Sequence, residues 1–458
     1  MTQPVFEEEI TPELIERYDL RVPRYTSYPT VPNWNKEFKT ETYRNMLQRA
    51  AKKEEPLSLY FHIPFCIRRC LFCACNVLVT QREDRPRRYL SYLKHEIRSV
   101  SRLLESRKDV IQLHLGGGTP THLTPAQLDD LFSLVWDEFE IQNSSEISIE
   151  IHPSVTSIEH LETLRDFGFN RISVGVQDFD PVVQERLNRF QTFEETSNLI
   201  KVAREMGFES TNADLIYGLP YQTDEGFDNT LEKIDQIKPD RIALYSYAHF
   251  PNIFRHHKHI PLTEIAQGRD KLQLFLDARK FLLSRGYRQI GFDHFALESD
   301  ELWKSFENKT LRRNFMGFTT KSGTDLIAFG YSGISELSSG YSQNSKDMSE
   351  YEQMIEKYGI APKKGHLMSP SDSTRKRLIM DFLCLGEIRI SELERTDEGR
   401  RIIDSKGEII RYFEKIGFLE GISTGWRATS LGRIFSRVIA SSFDEYYDAN
   451  RHTFSQTI

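Results

Sequence analysis

Long apolar runs are missing from this 458-residue chain. No stretch approaches the run of about 18 apolar residues that spans a bilayer, so no membrane insertion is expected. The opening MTQPVFEEEITPELIERYD is acidic and lacks an apolar leader core, which argues against export. An excess of positive charge is missing too. The formal net charge is −7 and the pI near 6.1, which gives no electrostatic footprint for nucleic acid; an anionic substrate must be met by local cations. Cysteine is scarce: there are five, and four of them crowd between positions 66 and 75. That distribution excludes a disulfide framework and fits a reducing compartment, the cytoplasm. Repeats and low-complexity segments are absent. With 39% hydrophobic and 28% charged residues, the chain reads as a globular enzyme of two or three domains.

What is present begins with YFHIPFCIRRCLFCACNVLVT. Cys66, Cys70 and Cys73 form a C-x3-C-x2-C triplet, a spacing that lets three thiolates of one loop converge on an iron-sulfur cluster. A four-iron cluster held by three thiolates keeps one iron open to a ligand that is not protein. A zinc knuckle would use two-residue gaps and a second Cys or His pair, which this chain does not have. Cys75 stays open as a fourth ligand, although alternating neighbours seldom both face one small cluster. Cys384, in RLIMDFLCLG, reads as a helix-core thiol.

Short apolar or β-branched runs recur at Leu57 to Pro64, Val110 to Leu115, Glu146 to His152, Arg171 to Gln177, Asn212 to Tyr217, Arg241 to Tyr247 and Tyr287 to Asp293. Amphipathic helical patterns lie between them, at Arg87 to Leu104, Pro125 to Phe139, Phe193 to Gly207, Glu225 to Ile237 and Thr263 to Gly286. Alternating strand and helix predicts an α/β fold with a parallel sheet, open or closed into a barrel, and chemistry at the carboxyl ends of the strands. Before it, RYDLRVPRYTSYPT (17–30) reads as an extended arm around two prolines. After Met368 helical patterns at Ser373 to Ile388, Ile403 to Phe418 and Leu431 to Tyr447, with a hairpin-like stretch, predict a small winged-helix-like domain. The divisions are 1–55, 56–360 and 361–458.

The polar residues cluster at the strand ends. Cys66 follows the first strand, Gly116 to Gly118 the second, and Glu150, Gln177, Asp214 and Ala248 mark the ends of the third to sixth. Glycines in HLGGGTPT are expected to let backbone approach a ligand and to leave amides free for it. Glu150 is placed to hold a ribose hydroxyl or an ammonium, and Arg189 to pair with a carboxylate. The run RHHKH (255–259) reads as a solvated loop, its neighbours offering no further ligand at defined spacing.

The cysteine spacing, the Tyr-x-His-x-Pro-Phe frame and Phe72 resemble the radical S-adenosylmethionine (SAM) enzymes. With Cys75-Asn76, HLGGGTPT, SIE, VGVQDF, DLIYGLP, FDHFA, RNFMGFTT and the terminal FSQTI, the chain from Arg17 onward resembles the oxygen-independent coproporphyrinogen III oxidases of haem biosynthesis. The resemblance implies an incomplete (βα)6 barrel, a cytoplasmic monomer, a [4Fe-4S] cluster and two SAM molecules. It also implies conversion of two propionates of coproporphyrinogen III to the vinyls of protoporphyrinogen IX. It places Cys66, Cys70 and Cys73 as cluster ligands, and Tyr60, Gly117, Glu150 and Ile334 about a first SAM. Phe72, Gly118, Thr119, Gln177, Arg189, Asp214 and Ala248 fall about a second, and Cys75 matches a cysteine needed for activity that is not a ligand. An electron donor such as flavodoxin or ferredoxin is implied; the final electron acceptor is not.

Two positions depart from the family pattern: Ala74 stands where Gly is common, and His152, Pro153 and Ser154 stand where Asp-Pro-Arg is common. Related haem chaperones and an anaerobic haem-degrading methyltransferase are the alternatives, set apart by Cys75-Asn76 and, for the chaperones, by the PRYTSYPT arm. Four propionates need cations, and Arg21 and Arg24 of the arm are the candidates to meet them. The arm is expected to fold over the barrel mouth, with Tyr25 and Tyr28 beside the tetrapyrrole.

Overall fold

The computed structural model describes residues 10–321, 324–449 and 454–457. The acidic stretch 1–9 and the last residue of FSQTI lie outside them.

Six strands pair in parallel and in chain order: Leu57–Ile63, Asp109–Gly117, Glu140–Ile151, Arg171–Gln177, Ser210–Tyr217 and Arg241–Ser246. They read as near-continuous apolar runs because both faces are covered; Leu57, Leu59, Phe61 and Ile63 are all fully buried. Helices return the chain between them. Asp84–Leu103 buries Tyr89, Leu93, Ile97 and Val100. Pro125–Glu138 starts at a Thr124/Gln127 capping box with proline in its first turn, and Phe193–Glu205 at Thr192/Glu195.

The sheet is larger than the six strands. Asp325–Phe329 pairs in parallel with Leu57–Ile63, and Ile334–Leu337, Gly340–Asn344 and Pro362–Leu367 extend that edge antiparallel. The main sheet therefore runs past residue 360. At the other edge the seventh predicted strand shortens to Tyr287–Ile290, paired antiparallel with His294–Leu297. The result is an open, mixed sheet of twelve strands. Phe61 and Phe329 stack at 4.9 Å where the added strand joins.

Below the sheet's amino ends an ion-pair network replaces apolar filling. Arg171 bridges Glu146 and Asp300, and Arg241 Nε donates to Asp300 at 2.8 Å. Gln112 Nε2 donates to Glu146 at 3.0 Å. Burial works against the Glu146 charge, but Arg171 and Arg241 outweigh it and hold the carboxyl down at about 2 against an ordinary 4.5. A depressed folded-state pKa gives stability that is present above the unfolded value and lost as pH falls toward 2. Glu146→Gln is expected to remove of the order of 3 kcal/mol at neutral pH and to flatten the acid limb of urea unfolding below about pH 4.5. An acid limb as steep as the wild type's would refute this.

The C-terminal segment is mainly helical, with Pro370–Leu385 and Asp397–Lys415 beside a three-stranded sheet whose hairpin is Leu419–Ile422 and Gly425–Ala428. The predicted last helix is instead two short ones, Ser430–Ile434 and Ser436–Ser441. The arm also differs from expectation: Arg17 and Tyr18 end a helix, Pro12–Tyr18, capped by Thr11, and the extended path begins after them. Tyr25 and Tyr28 are buried against the C-terminal segment, not turned to the barrel mouth. Tyr25 Oη donates to Asp444 at 3.0 Å, and Tyr28 Oη accepts from the Glu445 amide at 3.2 Å. Arg437 grips the carbonyls of Val22, Pro23 and Gln456, tying arm to tail. Among the described residues no helix is long and apolar enough to cross a membrane.

Candidate functional site

A cavity of about 730 Å³ opens at the carboxyl ends of the six strands. All four loop cysteines line it, with Phe72, Gly117, Gly118, Thr119, Glu150, Gln177, Arg189 and Asp214. Tyr60, Ala248, Ile334, Arg21 and Arg24 are not on its wall. Tyr60 stands directly behind, its hydroxyl donating to His62 Nδ1 at 3.1 Å; burial, with the Glu150 charge nearby, holds it well above its ordinary value. Ile334 packs with Trp34 and Tyr341 in a separate apolar cluster. Tyr245, not Ala248, represents the sixth strand in the cavity. Asp214 is the fifth residue of an eight-residue strand and not its end; its side chain points into the cavity from below.

The loop that carries the cysteines has little regular structure and is held by specific bonds. Leu71 N–H donates to Leu187 O at 2.9 Å, and Asn188 Nδ2 to Arg69 O at 3.1 Å. Cys66 Sγ lies 3.6 Å from Thr119 Oγ1, and Cys73 Sγ accepts the Cys75 amide at 3.4 Å. Burial pushes the Cys66 thiol up to about 11 and Cys70 up as well. The Cys75 thiol and amide, turned toward Cys73, bring that thiol down to about 7 against burial.

The glycine run does something other than expected. Gly117 N–H donates to Glu150 Oε2 at 3.0 Å, Gly118 N–H to Ile63 O and Thr119 N–H to Phe65 O, both at 2.8 Å. These amides are spent within the protein. The glycines serve to clear space: a Cβ on Gly117, at φ +116°, would meet the His62 ring at 2.5 Å, and one on Gly118 would meet the Phe65 carbonyl at 2.7 Å. They let the cysteine loop sit directly on the strand end.

Glu150 lies across this floor. Burial raises its carboxyl, but His114, with Nε2 3.6 Å from Oε1, and the Gly117 amide bring it below the ordinary value, so it is ionised. Asp214 behaves oppositely. Burial and the Glu150 charge lift it to about 6, although Asn212 donates to it at 2.8 Å. Two carboxyls of one cavity thus differ in proton affinity.

Arg189 is 8% exposed. Its Nη1 points to Cys70 Sγ at 3.8 Å, and Nη2 donates to the Gly175 carbonyl. Nε is buried without a partner. Among the described residues no carboxylate pairs with it, so its charge faces the thiols. His152 and Ser154 also line the wall. Burial, with Arg189 and Arg68 nearby, drops His152 to about 3, so it stands neutral where the family pattern has a charge.

Among the described residues no three His, Cys, Asp or Glu side chains gather about a point suited to one metal ion. A four-iron cluster takes its thiolates on separate irons and needs no such gathering. Three thiols of one loop in one cavity, with a buried cation whose Nε is orphaned beside them, fit a thiolate-ligated anionic cluster. His62, His114, Tyr245, His256 and His257 are site residues that the sequence does not single out. The first two carried a signal, a polar residue inside an otherwise apolar strand. RHHKH is solvated only in part: Arg255, Lys258 and His259 are exposed, but His257 is fully buried and His256 bonds the Cys73 carbonyl at 2.7 Å.

Residues 60–234 match the radical SAM superfamily. Oxygen-independent coproporphyrinogen III oxidases of Pseudomonas aeruginosa and Escherichia coli are 39% and 38% identical to this chain, each alignment covering 97% of it and 98% of the relative. The solved structure of the Escherichia coli coproporphyrinogen III oxidase, a radical SAM enzyme, superposes with a TM-score of 0.88 over 93% of this chain and 98% of that one. With fold, cysteine loop and near full-length identity in agreement, the chain belongs to the oxygen-independent coproporphyrinogen III oxidase family of radical SAM enzymes.

Proposed function

We propose that this protein oxidatively decarboxylates two propionates of coproporphyrinogen III to vinyl groups without oxygen, giving protoporphyrinogen IX. The observation that carries the reading is the meeting of the cysteine loop, Glu150, Arg189 and Asp214 in one cavity at the strand ends. Each propionate loses CO2, one hydrogen atom and one further electron. A [4Fe-4S] cluster and SAM, when bound, supply the hydrogen-abstracting chemistry.

The chain's own residues supply position and environment. Cys66, Cys70 and Cys73 hold the cluster, and Arg189 balances its charge from beside Cys70. Ionised Glu150 and Gly117 on the cavity wall, with Tyr60 and Ile334 set back from it, are assigned to a first SAM. Phe72, Gly118, Thr119, Gln177, Arg189, Asp214 and Ala248 are assigned to a second. Cys75 turns toward Cys73 and stays outside the ligand set as a catalytic thiol. A monomer in the cytoplasm, reduced by a donor such as flavodoxin or ferredoxin, completes the reading.

The arm 1–55 is assigned to substrate and 56–360 to chemistry, with the strand Pro362–Leu367 completing the catalytic sheet and the rest of 361–458 forming the C-terminal helical domain. Arg24 is already engaged, donating to Asp293 at 2.6 Å and lying 5.2 Å over the Tyr245 ring at the cavity edge. Arg21 is exposed and joins no ion pair among the described residues. Arg21→Ala is therefore expected to raise KM for coproporphyrinogen about ten-fold at unchanged kcat, the lower end of the worth of one charged hydrogen bond at about 1.5 kcal/mol. An unchanged KM would remove Arg21 from the substrate site. The function itself is tested by anaerobic incubation of reconstituted protein with SAM, a reductant, a cell-extract acceptor and coproporphyrinogen III. Protoporphyrin fluorescence after oxidation is the expected product signal, and its absence with intact cluster and SAM cleavage would overturn the reading.

A further inference from the structure

Besides Leu187 and Asn188, the short helical turn Arg255–His259 grips the cysteine loop. His256 Nε2 lies 2.7 Å from the Cys73 carbonyl; a carbonyl only accepts, so this nitrogen carries the proton. His257 is fully buried, and its Nδ1 accepts the Phe250 amide at 3.0 Å, which puts its proton on Nε2. That Nε2 is buried and unpartnered, with the carbonyls of Cys73 and Phe72 acting on the ring. His256 meets His257 edge-on at 4.8 Å, and His249 stacks on His257 at 5.7 Å. Ile260, next in the chain, joins Leu187, Ile216, Leu219 and Tyr247 in an apolar cluster on which Leu71 and Phe72 of the cysteine loop rest.

We propose that the turn Arg255–His259 is a clamp that preorganises the cysteine loop for its cluster, with His256 as a positioning residue acting through the Cys73 peptide. The proposal rests on the reading of Cys73 as a ligand. A loop with so few regular hydrogen bonds loses conformational freedom when three of its side chains must converge. Fixing the peptide of the last ligand removes part of that loss beforehand, as partners outside the ligand set do for metal sites generally. Arg255, Lys258 and His259 are exposed and face away; only the two inner histidines reach the loop.

The test uses the full-length protein, reconstituted anaerobically, and follows iron transfer to an iron(II) chelator together with the electron paramagnetic resonance spectrum of the reduced cluster. His256 is half-buried, so His256→Ala should fold, checked by circular dichroism of the cluster-free protein. It is expected to lose iron about ten-fold faster than wild type, with an altered spectrum. His256→Gln, which keeps an N–H donor, should recover most of the retention, and His259→Ala should behave as wild type. His256→Ala with wild-type retention and spectrum, while Cys73→Ala loses its iron, would overturn the clamp alone. So would equal losses in His256→Ala and His256→Gln, or in His259→Ala. Cys73→Ala that keeps its iron would overturn the ligand assignment, and the clamp with it.

Discussion

Alanine at Cys66, Cys70 or Cys73 is expected to abolish cluster binding, and alanine at Cys75 to leave it intact. Each of the first three sulfurs has its own neighbour on the cavity wall: Thr119 for Cys66, Arg189 for Cys70 and the Cys75 amide for Cys73. No spare thiol is at hand for a lost ligand except Cys75, which is tied to Cys73. The remaining cysteine, Cys384, is buried in the C-terminal core. Burial holds Cys66 and Cys70 as neutral thiols in the free protein, so ligation must release protons and cluster uptake should improve as pH rises. Iron and acid-labile sulfide after anaerobic reconstitution give the measurement. A Cys75→Ala protein without cluster beside a Cys66→Ala protein with one would reverse the assignment.

Loss of the Glu150 carboxylate should spare the cluster and cost SAM affinity. The carboxylate is ionised, lies on the glycine floor and reaches the cavity, so the cationic amino group or the ribose of SAM is its natural partner. Charged hydrogen bonds are worth about 1.5–3 kcal/mol, which converts to a fall of about 10- to 100-fold in affinity. Glu150→Gln separates two effects, because the amide oxygen still accepts the Gly117 N–H while the charge is gone. Equilibrium binding of SAM to the reconstituted variants decides it. If Glu150→Ala binds SAM and forms 5′-deoxyadenosine at limiting SAM as the wild type does, the residue is a strand-end charge and no more.

The six parallel strands were legible because each is a short apolar run between amphipathic helices, and local pattern is what sequence displays. The extension from Asp325 to Leu367 was not: Asp325–Phe329 joins in parallel a first strand far earlier in the chain, and Ile334–Leu337, Gly340–Asn344 and Pro362–Leu367 are short antiparallel strands whose polar residues break up the apolar pattern. The cysteine triplet was readable from spacing alone. The histidines of RHHKH were not, because five polar residues in a row look solvated until a distant loop covers them. Arg24 shows the same limit: a cation in an arm can be read, but its partner Asp293 stands 269 residues away.

The alternation of parallel strands with helices, the cysteine triplet and the family were thus legible in the sequence itself, since each depends on residue type and on spacing within one segment. What only the tertiary structure decided are the relations between segments. Glu150 is held below the ordinary carboxylate value and Asp214 lifted to about 6 because of what surrounds them. The amides of Gly117, Gly118 and Thr119 are spent on Glu150, Ile63 and Phe65, and the cysteine loop is held by Leu187, Asn188 and His256. Burial, charge proximity and hydrogen-bond satisfaction are sums over neighbours in space, and those neighbours exist only once the chain has folded.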